Sequence, residues 1–395
     1  MRWASSVSVE PALAAAVEEC CTAIHQQLET RAADLVVVFP TTHHRARLDR
    51  VTGLVRAQLP ARVTIGCAAG GVIGGGREVE EECGFAITAA RLPGVDLKPI
   101  RIESEQVPEP DDTHNWVGRV GVPPDVPAHF ILLPDPLTCD GGALLRGLDR
   151  AYPCGTKIGG LASGGREPGQ NVLYLNGHAY RNGMVGVALT GDLVVDTVVA
   201  QGCRPVGQPM FVTRAAQNLL LELDGRPAID LLREVYEQLS APDQQLARHS
   251  LFLGIVMLEN RQEYRQGDFL IRNLIGADAS RGAVAVGAVV RENAVVQFHL
   301  RDAATSAADL EALLARYRGS ELPSRPAGAL LFSCLGRGVH LYGRPDHDSE
   351  IFQRFMGNVA LGGFFCNGEI GPVQGATHVH GYTSAFGVFR ASRSA

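Results

Sequence analysis

The residues best suited to chemistry lie in the run Gly362-Gly363-Phe364-Phe365-Cys366-Asn367-Gly368-Glu369. A thiol, a carboxamide and a carboxylate follow one another there, a set able to bind a small polar molecule. Thiol catalysis would also need a base to make the thiolate, and His340, His378 and His380 could in principle approach Cys366. No cysteine-hydrolase signature surrounds it. His378 and His380 share one face of an expected strand, as a metal pair would. No third ligand follows at a suitable spacing, so neither a metal nor a cofactor is expected, and His43-His44 adds nothing stronger. A second polar set comprises Arg272-Asn273, Asp278 and Arg301-Asp302. Arginine at a strand end can clamp a carboxylate bidentately. Internal ion pairing among the same residues is the competing reading, and Asp302 also suits the cap of a helix starting near Thr305.

These residues must be positioned by the elements around them, and glycine marks where those elements turn. With 45 glycines and no collagen-like period, the residue is concentrated at particular sites. Residues 71–76 superficially suggest a phosphate loop. No Gly-Lys-Ser/Thr follows, and Gly155-Thr156-Lys157 has the wrong order, so the nucleotide-loop readings fail.

Comparing the glycine turns reveals a repeat. The first copy has an apolar strand at 34–40, a helical stretch with Leu48, Val51, Leu54 and Val55, a glycine turn at 63–71 and a strand at 84–92. The second has a strand at 129–134, a helix with Leu144, Leu145 and Leu148, a turn at 158–165, and strands at 172–175 and 184–189. The third has a strand at 329–334, a helix with Ile351, Phe352, Phe355 and Met356, a turn at 361–369 and a strand at 384–390. Alignment on the terminal glycines places Ala69, Ser163 and Cys366 together and Glu369 opposite Arg166. Repetition argues for structure and departure from it for function, which singles out Cys366, Asn367 and Glu369. Between the second and third copies, 219–239 reads as mostly helical, 252–258, 269–275, 284–290 and 295–300 as strands, and 305–317 as a helix.

The bulk properties narrow the class. A net charge of -6 with interspersed signs offers no basic stripe for nucleic acid. No apolar run approaches the roughly 20 residues of a membrane helix. The opening residues lack an apolar signal core, so a cytoplasmic location is expected. The 9 cysteines are odd in number and dispersed, which argues for reduced thiols.

In order and spacing these motifs resemble the FIST family, the F-box and intracellular signal transduction domains. The first part is carried by Ile65-Gly66-Cys67, Gly74-Gly75-Gly76-Arg77-Glu78, Leu92-Pro93-Gly94, Pro134-Asp135-Pro136 and the run from Ile158 to Gly165. The second is carried by the run from Phe269 to Gly276, Phe298-His299-Leu300-Arg301-Asp302, Ser333-Cys334-Leu335-Gly336-Arg337-Gly338 and the run from Gly362 to Ile370. The expected fold is α/β, with repeated strand–helix–strand units, mixed sheets flanked by helices and two pseudo-related halves. The expected domains are an N-terminal helix (1–32), a FIST N-like domain (33–226), a FIST C-like domain (227–390) and a short tail (391–395). The resemblance implies a sensor of small ligands, amino acids being the usual suggestion; no membrane insertion is expected, since no apolar run is long enough. With no output domain left once both parts are placed, it would pass its state to a separate signalling protein or merely bind its ligand. Cys366, Asn367, Glu369, Arg272, Asn273, Arg301, Asp302 and Ser163 are the expected ligand contacts. A thiol-dependent enzyme using Cys366 and a partner-binding adaptor without ligand are the alternatives.

Overall fold

The computed structural model describes residues 1–258 and 263–392; the end of the expected tail, 393–395, lies outside them. The chain forms two compact units. One comprises 1–199, 312–379 and the segment from 383 onward, the other 200–311 and 380–382.

The first unit is built from the expected repeats. Each begins with a lead strand rich in branched or aromatic residues: Ala33–Pro40, Ala128–Pro134 and Gly328–Cys334. Each lead strand is buried on both faces, as an interior strand of a helix-covered sheet must be. A helical crossover brings in a parallel second strand, respectively Ala61–Cys67, Lys157–Gly160 and Ala360–Cys366. An antiparallel third strand, Phe85–Arg91, Met184–Gly191 or Ser384–Arg390, flanks the lead strand on its other side. The second crossover shows the local logic. Asp140 caps the helix Gly141–Ala151 by accepting from Gly142 and Ala143 N–H groups, and Leu144, Leu145 and Leu148 recur at core-facing spacing.

Between second and third strands each repeat extends a hairpin, and that hairpin leaves its own sheet. Gly71–Gly74 of the first repeat pairs with Ala360–Cys366 of the third. Leu173–Leu175 of the second pairs with Ala61–Cys67 of the first, and Glu369–Val373 of the third pairs with Lys157–Gly160 of the second. The exchange is cyclic, giving three six-stranded sheets among the described residues. Because side chains alternate along a strand, each sheet has two apolar faces. Leu35, Val37, Phe39, Ile131, Leu133, Leu330, Phe332 and Phe364 meet in one central core, where Phe39 stacks on Phe364 at 4.5 Å. On the outer face of the first sheet, Val36, Val38 and Ile87 pack against Val17, Cys20 and Ile24 of the helix Leu13–Leu28. That helix was expected; the strand Arg2–Ser8 before it, paired with Phe85–Arg91, was not. In chain order, an edge strand and a helix precede each lead strand, and the second unit interrupts the third such pair, running from the end of Val194–Ala200 to Glu311, within the helix Ala303–Arg318.

The second unit holds a seven-stranded sheet in which Cys203–Ala216 pairs with both Val295–Arg301 and Leu219–Leu223, closing it on itself. Val212, Leu220, Leu223, Leu253, Phe298 and Leu300 fill one core of this unit. The expected helix over 219–239 is corrected in its first part. Leu219–Leu223 is a strand, because it finds partners in Ala215, Ala216, Val284 and Ala285, and the helix is Ala228–Gln238. Strand pairing outweighs the helix preference of a leucine-rich run.

Candidate functional site

The three glycine turns are superimposable in register. Gly66, Gly159 and Gly363 face Val38, Leu132 and Leu331 across the parallel pairs. A Cβ at any of the three would overlap the carbonyl oxygen of that partner, so only glycine permits the close approach. Three residues further on lie Ala69, Ala162 and Cys366, and Thr41 bridges Ala69 as Cys334 pairs with Cys366. The alignment of Ser163 with Ala69 and Cys366 is therefore corrected by one residue. Ser163 corresponds to Gly70 and Asn367, and Arg166 does not stand opposite Glu369.

The corrected trio converges. Ser163 Oγ accepts from the Gly70 N–H at 2.9 Å and donates to the Phe365 carbonyl. Asn367 donates its main-chain N–H to Leu161 O at 3.1 Å and its Nδ2 to Ala162 O at 3.2 Å. Gly70, Ser163 and Asn367 line one cavity of about 630 Å³, together with Thr42, Arg45, Gly164, Gly165, Arg166, Glu167, Gln170 and Leu335. The second repeat supplies the longest wall, because its hairpin starts only at Leu173, whereas those of the first and third start at Gly71 and Glu369. That longer loop is held by Asn171, whose Nδ2 donates to the buried Asp135 at 2.7 Å, and by Gln170, which bonds Glu167 and the Arg166 N–H. Arg45 and Arg166 are exposed and in no ion pair among the described residues. Sequence reading missed both. The signal for Arg166 was its place directly after Gly164-Gly165, and nothing in the sequence marked Arg45.

Of the expected site residues, Ser163 and Asn367 line the cavity, while Cys366 and Glu369 lie fully buried behind it. Cys366 Sγ donates to Ser333 O at 3.4 Å and to Glu369 Oε1 at 3.5 Å. Glu369 Oε2 accepts from the Thr383 N–H at 3.0 Å. Burial first, then the Glu369 charge, holds the Cys366 thiol well above its ordinary value. It is a thiol, not a thiolate, at neutral pH.

The other four expected residues belong to the second unit. Asp302 accepts from the Thr305 N–H at 2.7 Å and its hydroxyl at 3.0 Å, capping the following helix, and is bonded by Arg204 Nε at 3.2 Å. Its carboxylate is thus committed to the fold. Arg301 is buried, with its guanidinium 4.8 Å from the centre of the Tyr382 ring, and the Tyr382 hydroxyl bonds Asn273 Oδ1. Arg272 donates to Ile271 O at 2.9 Å. Among the described residues no group of histidine, cysteine and carboxylate side chains could hold a metal ion, and no helix is long and apolar enough to cross a membrane.

Residues 34–226 match the FIST N domain and residues 228–372 the FIST C domain. The chain therefore belongs to the FIST family, whose domains are in general sensory domains of signal transduction. The boundary between the two parts falls inside the second unit in chain order. The chain is 36% identical over 393 residues to an uncharacterised protein of Mycobacterium tuberculosis, covering 98% of this chain and 100% of that one. It is 36% identical to human F-box only protein 22 over 62 residues, 15% of each. Among solved structures, a cyanuric acid hydrolase from A. caulinodans is similar with a TM-score of 0.33 and 10% identity, over 100% of both chains.

Proposed function

We propose that this protein is a cytoplasmic sensor that binds a small molecule bearing a carboxylate or comparable anion, in the cavity where the three turns meet. One observation carries the reading. Equivalent residues of three repeats, Gly70, Ser163 and Asn367, line a single ligand-sized cavity beside two arginines without ion pairs. Arg45 and Arg166 would hold the anion and Asn367 Oδ1 would accept from a donor on the ligand, amino acids and related metabolites being candidates. Cys366 and Glu369 would support the floor without touching the ligand. Asn273 and Arg301 meet at Tyr382, through its hydroxyl and its ring, and Arg272 precedes Asn273 on the same strand; a separate signalling protein would receive the output.

Two features favour binding over catalysis. Ser163 Oγ is already spent on two main-chain groups, and the Cys366 thiol is protonated and buried. A ligand present at one hundred times its dissociation constant stabilises the folded chain by about 2.7 kcal/mol. A thermal-shift screen of amino acids and other small carboxylates should give a stabilising hit, lost in Arg45→Ala/Arg166→Ala. A flat panel at millimolar concentration, or a hit indifferent to both arginines, would overturn the proposal.

A further inference from the structure

We propose that Cys334 and Cys366 form a redox-active pair behind the cavity, joined to a disulfide by hydroperoxides. They are the last residues of the third repeat's lead and second strands and are partners in the parallel register. Adjacent strands lie about 4.7–4.9 Å apart, within the Cα separation of roughly 4.4–6.8 Å that a disulfide spans. Register partners project to one face. Phe332 and Phe364, two residues earlier on each strand, lie in the central core together with Cys366, and strand alternation puts Cys334 on that same face at the strand's end. The equivalent pair in the first repeat is Thr41 with Ala69, and Asp135 and Ala162 hold those places in the second; only the third repeat places two sulfurs there.

The two thiols have different surroundings. Cys334 is half-buried, and its sulfur accepts from the Gly336 N–H at 3.5 Å. Cys366 is sealed from solvent, its proton directed at Glu369 Oε1. Cys334 is thus the sulfur that meets the oxidant and Cys366 the one that resolves it. The Cys334 thiolate attacks the peroxide, an S–O bond forms, the O–O bond breaks, and hydroxide leaves to take up a proton. Cys366 then passes its proton to Glu369 and attacks the sulfenic sulfur. The S–S bond forms, the S–O bond breaks, and the departing hydroxide takes the proton from Glu369. Two thiols and one hydrogen peroxide give one disulfide and two waters.

The bond would tie together the backbones that carry Leu335 and Asn367 into the cavity, already linked by the Leu335 N–H to Cys366 O bond at 3.2 Å. That consequence rests on the ligand reading; formation of the bond does not. The test treats the full chain with hydrogen peroxide, blocks free thiols, and identifies disulfide-linked peptides by mass spectrometry. Cys154, exposed in the fold, reports that oxidant reached the chain. The expected product is a Cys334–Cys366 linkage that dithiothreitol reverses and Cys334→Ser abolishes, with Cys366 then staying reduced. Glu369→Gln should slow linkage at least about tenfold while leaving sulfenic acid formation at Cys334 unchanged. Oxidation of Cys334 to sulfinic acid with Cys366 intact, or oxidation confined to Cys154, would overturn the proposal. Should Cys334→Ser fold poorly, linkage mapping in the unsubstituted chain decides alone. A flat ligand screen leaves this result standing, and an absent linkage leaves the ligand reading standing.

Discussion

Behind the turn of the first repeat, the Gly84 N–H is met by the Thr41 hydroxyl at 2.9 Å; behind that of the third, the corresponding Thr383 N–H is met by the Glu369 carboxylate at 3.0 Å. The strand pairing is the same in both. Thr41 donates its main-chain N–H to Gly84 O, and Cys334 donates its own to Thr383 O. What differs is the charge that the third repeat stores. Arg337, fully buried, gives Asp348 two hydrogen bonds at 2.8 and 3.1 Å, and Asp348 also accepts from Ser384. The first repeat's own hairpin reaches into this network, with Glu78 Oε1 accepting from Ser349 N–H and Oγ at 2.8 and 2.9 Å. One backbone plan has thus been satisfied by a hydroxyl in one copy and by a buried carboxylate in another.

Substitutions should separate what the repeats share from what they do not. The largest effect is expected for Arg337→Met, which strands the buried Asp348 carboxylate and should cost about 3–5 kcal/mol in urea unfolding. A loss below 1 kcal/mol would show that water reaches the network. Gly159→Ala and Gly363→Ala drive a methyl group onto a strand carbonyl in two different repeats, and each should cost about 3 kcal/mol. Markedly unequal losses would break the equivalence of the turns.

The next effect depends on pH. Burial, then the Asp348 charge, pushes the Glu78 carboxyl from an ordinary 4.5 up to about 8, with Glu80 nearby adding to the rise. The folded chain therefore keeps a proton that the unfolded chain has released. Stability from this group is complete below about pH 4.5, falls as pH rises toward about 8, and then levels off. The slope is at most about 1.4 kcal/mol per pH unit. Glu78→Gln keeps the Oε1 acceptor and should flatten that slope, so that the variant overtakes the parent at pH 8; identical profiles from pH 5 to 8 would contradict it. The smallest effect on folding belongs to Arg166→Ala, within about 0.5 kcal/mol because the side chain is exposed. Its expected effect is on the ligand-induced thermal shift alone.

Much of the first unit was legible because it rests on local signals. Branched and aromatic runs named the lead strands, and the glycines named the turns. The register of the second turn was not, since Gly164-Gly165 mimics Gly70-Gly71 while belonging to a longer loop that delays the hairpin to Leu173. A single residue of slip moved Ser163 to the wrong partner and hid its likeness to Asn367. Glu369 was visible as a departure from the repeat, yet the same departure serves a buried main-chain donor. Leu219–Leu223 misled because, besides its nearby partners Ala215 and Ala216, it pairs with Val284 and Ala285, which are distant in sequence. The second-unit candidates were legible as polar residues at strand ends, and for Asp302 the helix cap was read correctly as one of its two possible uses.

The cyclic hairpin exchange also governs how the chain can be made. Gly74 pairs with Gly362, so the first repeat's hairpin has no partner until the strand 288 residues further along has been made. At roughly 5–20 residues per second, that wait lasts on the order of tens of seconds. During it, Val72 and Ile73, both fully buried in the finished fold, are without their strand. Nascent chains of this protein should accordingly depend on chaperones more than their length suggests, and a version ending before residue 360 would lack the strand that completes the ring.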